Sequence, residues 1–395
     1  MNRSKNLVSF AVLSIFFIAM GVGTITPAIQ NIAEAFPQIG FSTILLVSTL
    51  PSLTIIPFTI LAGAVAGSKM KYRTLVIVGL ILFVVAGIAP AFLNDFTSIL
   101  ISRAVFGMGL GIISPLGNAL ILKLFEGQAR ANMLGVSGVV MNVGGIALQM
   151  LGAILCSINW HYAFLAHLLG VISLVIVLFM LPEPEKEERV AGEKIKMPAG
   201  VYIISVLFGI AMMLNYPMLV NMSTIIITGN LGNAASAGMV LSMFTVGGMA
   251  AGAIFGKLFQ LAGRFTISIG LVITAAGMAF VTYANSLAVL TLGSTLVGIG
   301  FSIIMPAVMM ILGSIVPPAG FAIASGILMA VMNVGGFVST YYMALLAQIS
   351  GQTSVRFPIF VAMVVYGIST VIYTLARLKA PPAPAVPGGP QGMSH

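Results

Sequence analysis

Charge is what this 395-residue chain has least of. Only 6% of its residues are Asp, Glu, Lys or Arg, against about 25% in soluble domains. A soluble fold of this length cannot cover its surface with so few charges. The chain has one cysteine, Cys156, which excludes an internal disulfide and a thiolate metal cluster. It has one tryptophan, Trp160, too few indoles for a sugar-stacking site. It shows no Ser-His-Asp set, no histidine-rich metal cluster and no phosphate loop. Gly107, Gly109 and Gly111 sit within an apolar run and read as close helix contacts rather than a phosphate cradle. Neither an enzyme, a resident metal nor a cofactor is therefore expected.

What is abundant is apolar: 59% of residues are hydrophobic, against about 45–50% in soluble domains. Lipid removes the need for a charged surface, so membrane lipids are the expected surroundings. The net charge of +9 does not point to nucleic acid, because the cations fall in short clusters between apolar stretches and form no basic groove. About 20 apolar residues cross the hydrocarbon core as a helix. Stretches of that order fall near 8–33, 42–66, 73–93, 97–122, 131–155 and 161–181, and again near 199–226, 234–256, 265–284, 287–313, 319–347 and 356–377. The first is too long for a signal peptide and reads as a retained helix. The expected fold class is an all-α membrane protein with twelve transmembrane helices.

Residues 1–181 form the first expected bundle and 199–379 the second. Between them, 182–198 carries Pro182-Glu183-Pro184-Glu185-Lys186-Glu187-Glu188-Arg189 and reads as a cytoplasmic linker. Residues 380–395, rich in Pro and Gly, read as a disordered cytoplasmic tail. With both termini inside, 15 of the 17 Lys and Arg residues fall on the cytoplasmic side; Arg103 lies within a helix and Arg356 at an outer end. The expected location is a bacterial inner membrane, crossed by a monomer.

The two bundles are copies. Met141-Asn142-Val143-Gly144-Gly145 recurs as Met332-Asn333-Val334-Gly335-Gly336, 191 residues later. At the same offset Arg73, Gly79, Gly107, Gly109, Pro115 and Gly135 recur as Arg264, Gly270, Gly298, Gly300, Pro306 and Gly326. Pro27 and Asn31 recur as Pro217 and Asn221 at offset 190, and Gly63 and Gly67 as Gly252 and Gly256 at offset 189. Halves that start on the same side are parallel repeats, able to rock about a shared interface.

Several motifs resemble the major facilitator superfamily, over about 370 residues. Gly63-Ala64-Val65-Ala66-Gly67-Ser68-Lys69-Met70-Lys71-Tyr72-Arg73 resembles the family's Gly-x-x-x-Asp-Arg/Lys-x-Gly-Arg-Arg/Lys loop, with Gly67 replacing the acid and Met70 the inner glycine. The latch at that loop is incomplete, leaving gating to packing and to Lys71 and Arg73. Arg103-Ala104-Val105-Phe106-Gly107-Met108-Gly109 resembles the helix-four Arg-x-x-Gln-Gly-x-Gly motif, with Phe106 in place of glutamine. Trp160-His161-Tyr162-Ala163-Phe164 and Leu181-Pro182-Glu183 resemble the opening and close of helix six. The set is similar to the twelve-helix drug and metabolite efflux branch. Its helix-five antiporter signature is only partly kept: Gly135, Gly144 and Gly152 are in step, but Leu148, Gln149 and Ala153 depart from it.

The resemblance implies a coupling or conformational role for Arg103, and a cavity lined by helices one, four, seven and ten. Polar positions there are Gln30, Asn31, Asn118, Asn215, Tyr216 and Asn221, with Gln149 and Thr340 added from helices five and eleven. Met222, Met305 and Met309 add an adaptable apolar wall. Glu34, at the outer end of helix one, is either a coupling carboxylate or an ordinary interfacial acid. His161 and His167 are either proton carriers or packed neutral rings. Being six apart, they should point to different faces of an α-helix, which excludes a shared metal. Asn142 and Asn333 make either an interhelical hydrogen bond at a tight crossing or a cargo contact. Pro27, Pro115, Pro217 and Pro306 each free a carbonyl, for a hinge, for cargo or with no consequence beyond curvature.

The expected function is a secondary transporter that exports a small hydrophobic or amphipathic compound in exchange for protons. The alternatives are uptake or facilitated transport of a small organic monoanion with Arg103 as counter-charge, and a non-transporting membrane sensor.

Overall fold

The computed structural model describes residues 2–67, 69–184, 197–317 and 320–379. Most of the expected linker and all of the expected tail lie outside the described residues. In hydrocarbon every backbone N–H and C=O must be satisfied within the chain, so uncharged runs of this length become helices. Twelve spanning helices are present among the described residues: α1 (Asn6–Ala35), α2 (Leu46–Val65), α3 (Tyr72–Phe92), α4 (Phe96–Leu124), α5 (Gly127–Cys156) and α6 (Trp160–Met180), then α7 (Ala199–Thr228), α8 (Ala234–Ala262), α9 (Thr266–Tyr283), α10 (Leu287–Ile315), α11 (Phe321–Ser350) and α12 (Phe357–Lys379). The apolar stretch Ala234–Tyr283 runs for 50 residues, about 75 Å as one helix and over twice the membrane core. It is two helices, broken at Gly263, whose φ of +49° suits glycine.

Helix starts are set by side chains that accept from first-turn amides. Asp95 caps α4, Asn233 forms a reciprocal box with Ser236 on α8, and Ser286 caps α10. At the other end of α4, the Arg130 guanidinium donates to the carbonyls of Leu122 and Phe125, the last ones without helical partners.

Close approach of helices depends on glycine, and it repeats. A Cβ on Gly79 would crowd Ile113 and the Gly109 carbonyl. One on Gly270, in the second half, would crowd Ile304 and the Gly300 carbonyl, each residue 191 further on. Gly144 on α5 lies against the backbone of Phe17, and Gly335 on α11 against that of Gly209.

The hydrophobic cores show how the halves meet. One core is made of α1–α6 residues around Phe83, Phe106 and Leu80, and two are made of α7–α12 residues. A fourth combines both halves, placing Ile25, Ile29, Ile44 and Val47 with Val220, Ala234 and Met343. Its members gather at the end of the molecule where α1 turns into α2, hereafter the α1–α2 end.

Candidate functional site

α1 is not a continuous α-helix. Its first segment belongs to the helix Asn2–Ile18, which begins four residues before the span; it then tightens to a 3-10 segment over Gly21–Ala28 and resumes over Ile29–Ala35. Gly21 has no room for a side chain, because the Phe83 ring would lie 2.6 Å from a Cβ. Beyond that ring lies Arg103 on α4, which is wholly buried. Its Nε donates to the Val47 carbonyl at 2.9 Å. That carbonyl is available because the residue four further on is Pro51, which has no N–H to give it. The guanidinium lies 4.2 Å from the centre of the Phe106 ring and 6.0 Å from that of Phe164, a cation–π arrangement. Nη1 and Nη2 are buried without hydrogen-bond partners.

The same principle joins other helices. Pro115 frees the Gly111 carbonyl, which accepts from the Thr59 hydroxyl at 3.1 Å. In the 3-10 segment of α1, the Gln149 amide points toward the Gly23 carbonyl at 3.5 Å. The carbonyl freed by Pro115, one expected for a hinge or for cargo, is occupied by a side chain of a neighbouring helix. Pro217 and Pro306 lie inside continuous α-helices.

α6 opens as a 3-10 helix over Trp160–Leu168, so the α-helical reading of its histidines needs correction. With three residues per turn, His161 and His167 are two whole turns apart and share a direction, separated by about 12 Å along the axis. That distance still prevents a common metal, and no group of three metal-ligating side chains occurs among the described residues. His161 stacks on Trp160 with ring centres 3.6 Å apart and meets Asn159 Oδ1 at 3.1 Å. His167 is wholly buried, edge-on to the Phe83 and Phe106 rings. Its Nδ1 lies 2.8 Å from the Phe164 carbonyl. A carbonyl only accepts, so Nδ1 carries the hydrogen.

At the α1–α2 end, polar contacts cross between the halves. The Gln30 amide N–H donates to the Ser223 hydroxyl at 3.0 Å. Thr49 and Thr340 hydroxyls pair at 2.9 Å, and Ser52 lies 3.3 Å from the Tyr216 hydroxyl. Gln30 also donates to the exposed Glu34 at 2.9 Å, and Asn31 accepts from Cys156. Asn221 donates to Met343 and the Val355 carbonyl. Asn215 is buried with neither amide atom bonded. Met222 is fully buried in a core of the second half rather than on an open wall. Met305 and Met309 are half-buried against the other core of that half, and Asn118 is exposed.

The opposite end is different. A Cβ on Gly135 or Gly138 of α5, Gly252 or Gly256 of α8, or Gly326 of α11 would meet no described atom within 4 Å. Contacts between the halves are thus seen at the α1–α2 end, while these glycines leave their faces of α5, α8 and α11 uncovered.

In the loop before α3, Gly67 has φ +71°, a conformation costly for any side chain, and a Cβ there would strike the Tyr72 ring. The carboxylate missing from position 67 arrives from elsewhere. Glu183, just past α6, accepts from the backbone N–H groups of Tyr72 at 2.7 Å and Arg73 at 2.9 Å. These amides begin α3 and have no partner in their own helix, and the positive end of its dipole favours a carboxylate. The Arg73 side chain donates to the Leu178 carbonyl, tying the same two elements again. Lys71 is exposed and immediately precedes α3. Reading the sequence missed the role of Glu183; the signal was a carboxylate set by Pro182 just beyond a helix end.

The Asn142 and Asn333 amides do not make the expected interhelical bond. Each donates to the carbonyl four residues back in its own helix, Gly138 and Met329, both at 2.9 Å. The nearby glycines let backbones meet, and no polar bridge is needed. Gly145 packs on Met20 and Gly336 on the Tyr216 ring.

Known proteins give this geometry a context. The quinolone resistance protein NorA of Staphylococcus aureus is 23% identical over 384 residues, covering 92% of this chain and 95% of that one. The multidrug transporter protein MdtP of Bacillus subtilis is 30% identical over 176 residues, covering 43% of this chain and 31% of that one. A bacterial homolog of the human lysosomal transporter Spinster, solved in an inward-facing and unoccupied conformation, superposes with a TM-score of 0.76 at 15% identity, covering 95% of this chain and 97% of that one. The sequence profile described as Major Facilitator Superfamily matches residues 11–214 and again residues 201–393. With twelve apolar helices, a repeated six-helix plan and matches along nearly its whole length, this chain is a multi-pass membrane transporter, not an enzyme, and belongs to the major facilitator superfamily.

Proposed function

We propose that this chain exports a small hydrophobic or amphipathic organic compound in exchange for protons, by alternating access across a bacterial inner membrane with both termini in the cytoplasm. The observation that carries the proposal is the difference between the two ends. A mixed core and three polar contacts close the α1–α2 end, while glycines of α5, α8 and α11 face open space at the other. With the termini inside, this is the inward-facing state. Residues 1–181 and 199–379 then rock as two bodies, bringing the small residues of α5 and α8 together when the outer contacts part.

The cargo class follows from chemistry. Thioethers at Met305 and Met309 and the phenol of Tyr216 offer an adaptable, mostly apolar wall with few fixed hydrogen bonds. The names of the relatives, a quinolone resistance protein and a multidrug transporter, agree with that class. His167 and Glu34 are the groups we assign to proton exchange, since no carboxylate lies deep in any helix.

Inverted vesicles provide the test. A lumen held acidic should drive accumulation of a quinolone or a lipophilic cation, and a protonophore should release it. Accumulation indifferent to the pH gradient would remove the exchange. Cargo that enters right-side-out vesicles with the protons would reverse the direction.

A further inference from the structure

We infer that Arg103 is the core of a buried binding site for a single small monovalent anion, a halide or a carboxylate. The inference does not depend on the direction or identity of the cargo.

The guanidinium is wholly buried, and its one polar bond is from Nε to the Val47 carbonyl. The two terminal nitrogens, with four N–H groups, have no partner. Where the related motif has an amide side chain one turn on, this chain has Phe106, which offers a ring face and no hydrogen-bond acceptor. Nor does an acid among the described residues compensate the charge. The acids among the described residues, Glu34, Asp95, Glu126 and Glu183, all lie at helix ends or in connections. Glu34 is exposed and accepts from Gln30, and Asp95 caps α4.

Water can satisfy the N–H groups but leaves the positive charge uncompensated in a site walled by Phe83, Phe106 and Phe164. A monoanion does both, accepting from the planar fork of Nη1 and Nη2. A dianion would need a second cation there. Thr24, in the 3-10 segment of α1, is also buried with its hydroxyl unpartnered, and its side chain lies against Gly152 of α5.

The test is binding to the purified full-length protein at fixed pH and ionic strength, with gluconate, too bulky for a closed site, replaced stepwise by chloride, bromide or benzoate. Chloride or bromide should raise the unfolding temperature saturably by about 2–4 °C. Arg103→Gln should abolish the dependence, and Arg103→Lys should retain it at higher anion concentration. Equilibrium dialysis of the unaltered protein with radioactive chloride, expected to approach one ion per chain, serves if Arg103→Gln does not fold. Saturation by benzoate but not by halides would assign the site to the carboxylate of a cargo molecule. A response to all salts that never saturates, or one that survives unchanged in Arg103→Gln, would overturn the inference.

Discussion

The two halves share their scaffold and differ in their chemistry. The Gly79–Gly109 contact between α3 and α4 recurs between α9 and α10, and those of Gly144 and Gly145 with α1 recur as those of Gly335 and Gly336 with α7. Arg73 recurs as Arg264, but three other charges do not recur. At offset 191, Arg103 is answered by Ser294, Asp95 by Ser286 and Glu183 by Thr374. Each replacement keeps a hydroxyl where the first half has a charge. Ser286 still caps its helix, and Thr374 bonds Ser268 at 2.9 Å. Ser294 is buried with its hydroxyl unpartnered, as the Arg103 terminal nitrogens are. Close crossings at Gly79, Gly109 and Gly144 are kept as Gly270, Gly300 and Gly335, where a side chain would meet backbone. Charge in a membrane must have a use to offset its cost, and one copy suffices.

That contrast can be broken at the scaffold or sharpened at the charges. The largest effect is expected where backbones touch. Gly144→Leu and Gly335→Leu should each cost about 3 kcal/mol or more and leave little monodisperse protein on size exclusion. Gly135→Leu, facing open space, should fold normally yet fail to transport, because the inner end can no longer close. If only one of the first two variants were damaged, the repeated scaffold would not be equivalent.

Next come the charges. Arg103→Gln should lower transport at least tenfold in vesicles, while Ser294→Ala stays within about twofold, since a lone hydroxyl is worth about 1 kcal/mol. Equal losses would erase the proposed division of labour. Glu183→Gln should destabilise the protein by about 0.5–2 kcal/mol through loss of a helix-start acceptor, read as a lower melting temperature. Thr374→Val should cost less.

The smallest effect concerns the helix caps. Hydrogen bonds from the Ser98 amide and hydroxyl hold the Asp95 carboxyl below the usual carboxylate range. Its contribution is therefore fully present above the unfolded value and is lost as pH falls through the lowered folded value. Protection of the first-turn amides of α4, relative to their intrinsic exchange rate, should fall in acid, while the first turn of α10, capped by the Ser286 hydroxyl, should show no such step. Asp95→Ser should make the two alike.

Much of this was legible in the residues alone. Twelve apolar runs and an identical pentapeptide separated by 191 residues fixed helix number and duplication, because both follow from composition and order along the chain. Most boundaries agree within a few residues; α8 continues to Ala262 because a helix reaching water need not stop at Lys257. What could not be read was local pitch and partner choice. The 3-10 segments in α1 and α6 pack Gly21 and His167 against Phe83 and Phe106, and apolar periodicity does not encode such a change of pitch. Pro51 announces a free carbonyl at Val47, but only the tertiary arrangement brings Arg103 to it. The cap from Glu183 joins residues over 100 positions apart, and no motif spacing links them.

Alternating closure of the two ends is the claim most open to direct measurement. Spin labels at Gly135→Cys and Gly252→Cys report one end, and labels at Ile39→Cys and Asn230→Cys report the other, each pair on a Cys156→Ser background in lipid nanodiscs. Adding a quinolone or lowering the pH should shorten the first distance while lengthening the second. Two distances that stay fixed, or that grow and shrink together, would contradict the account.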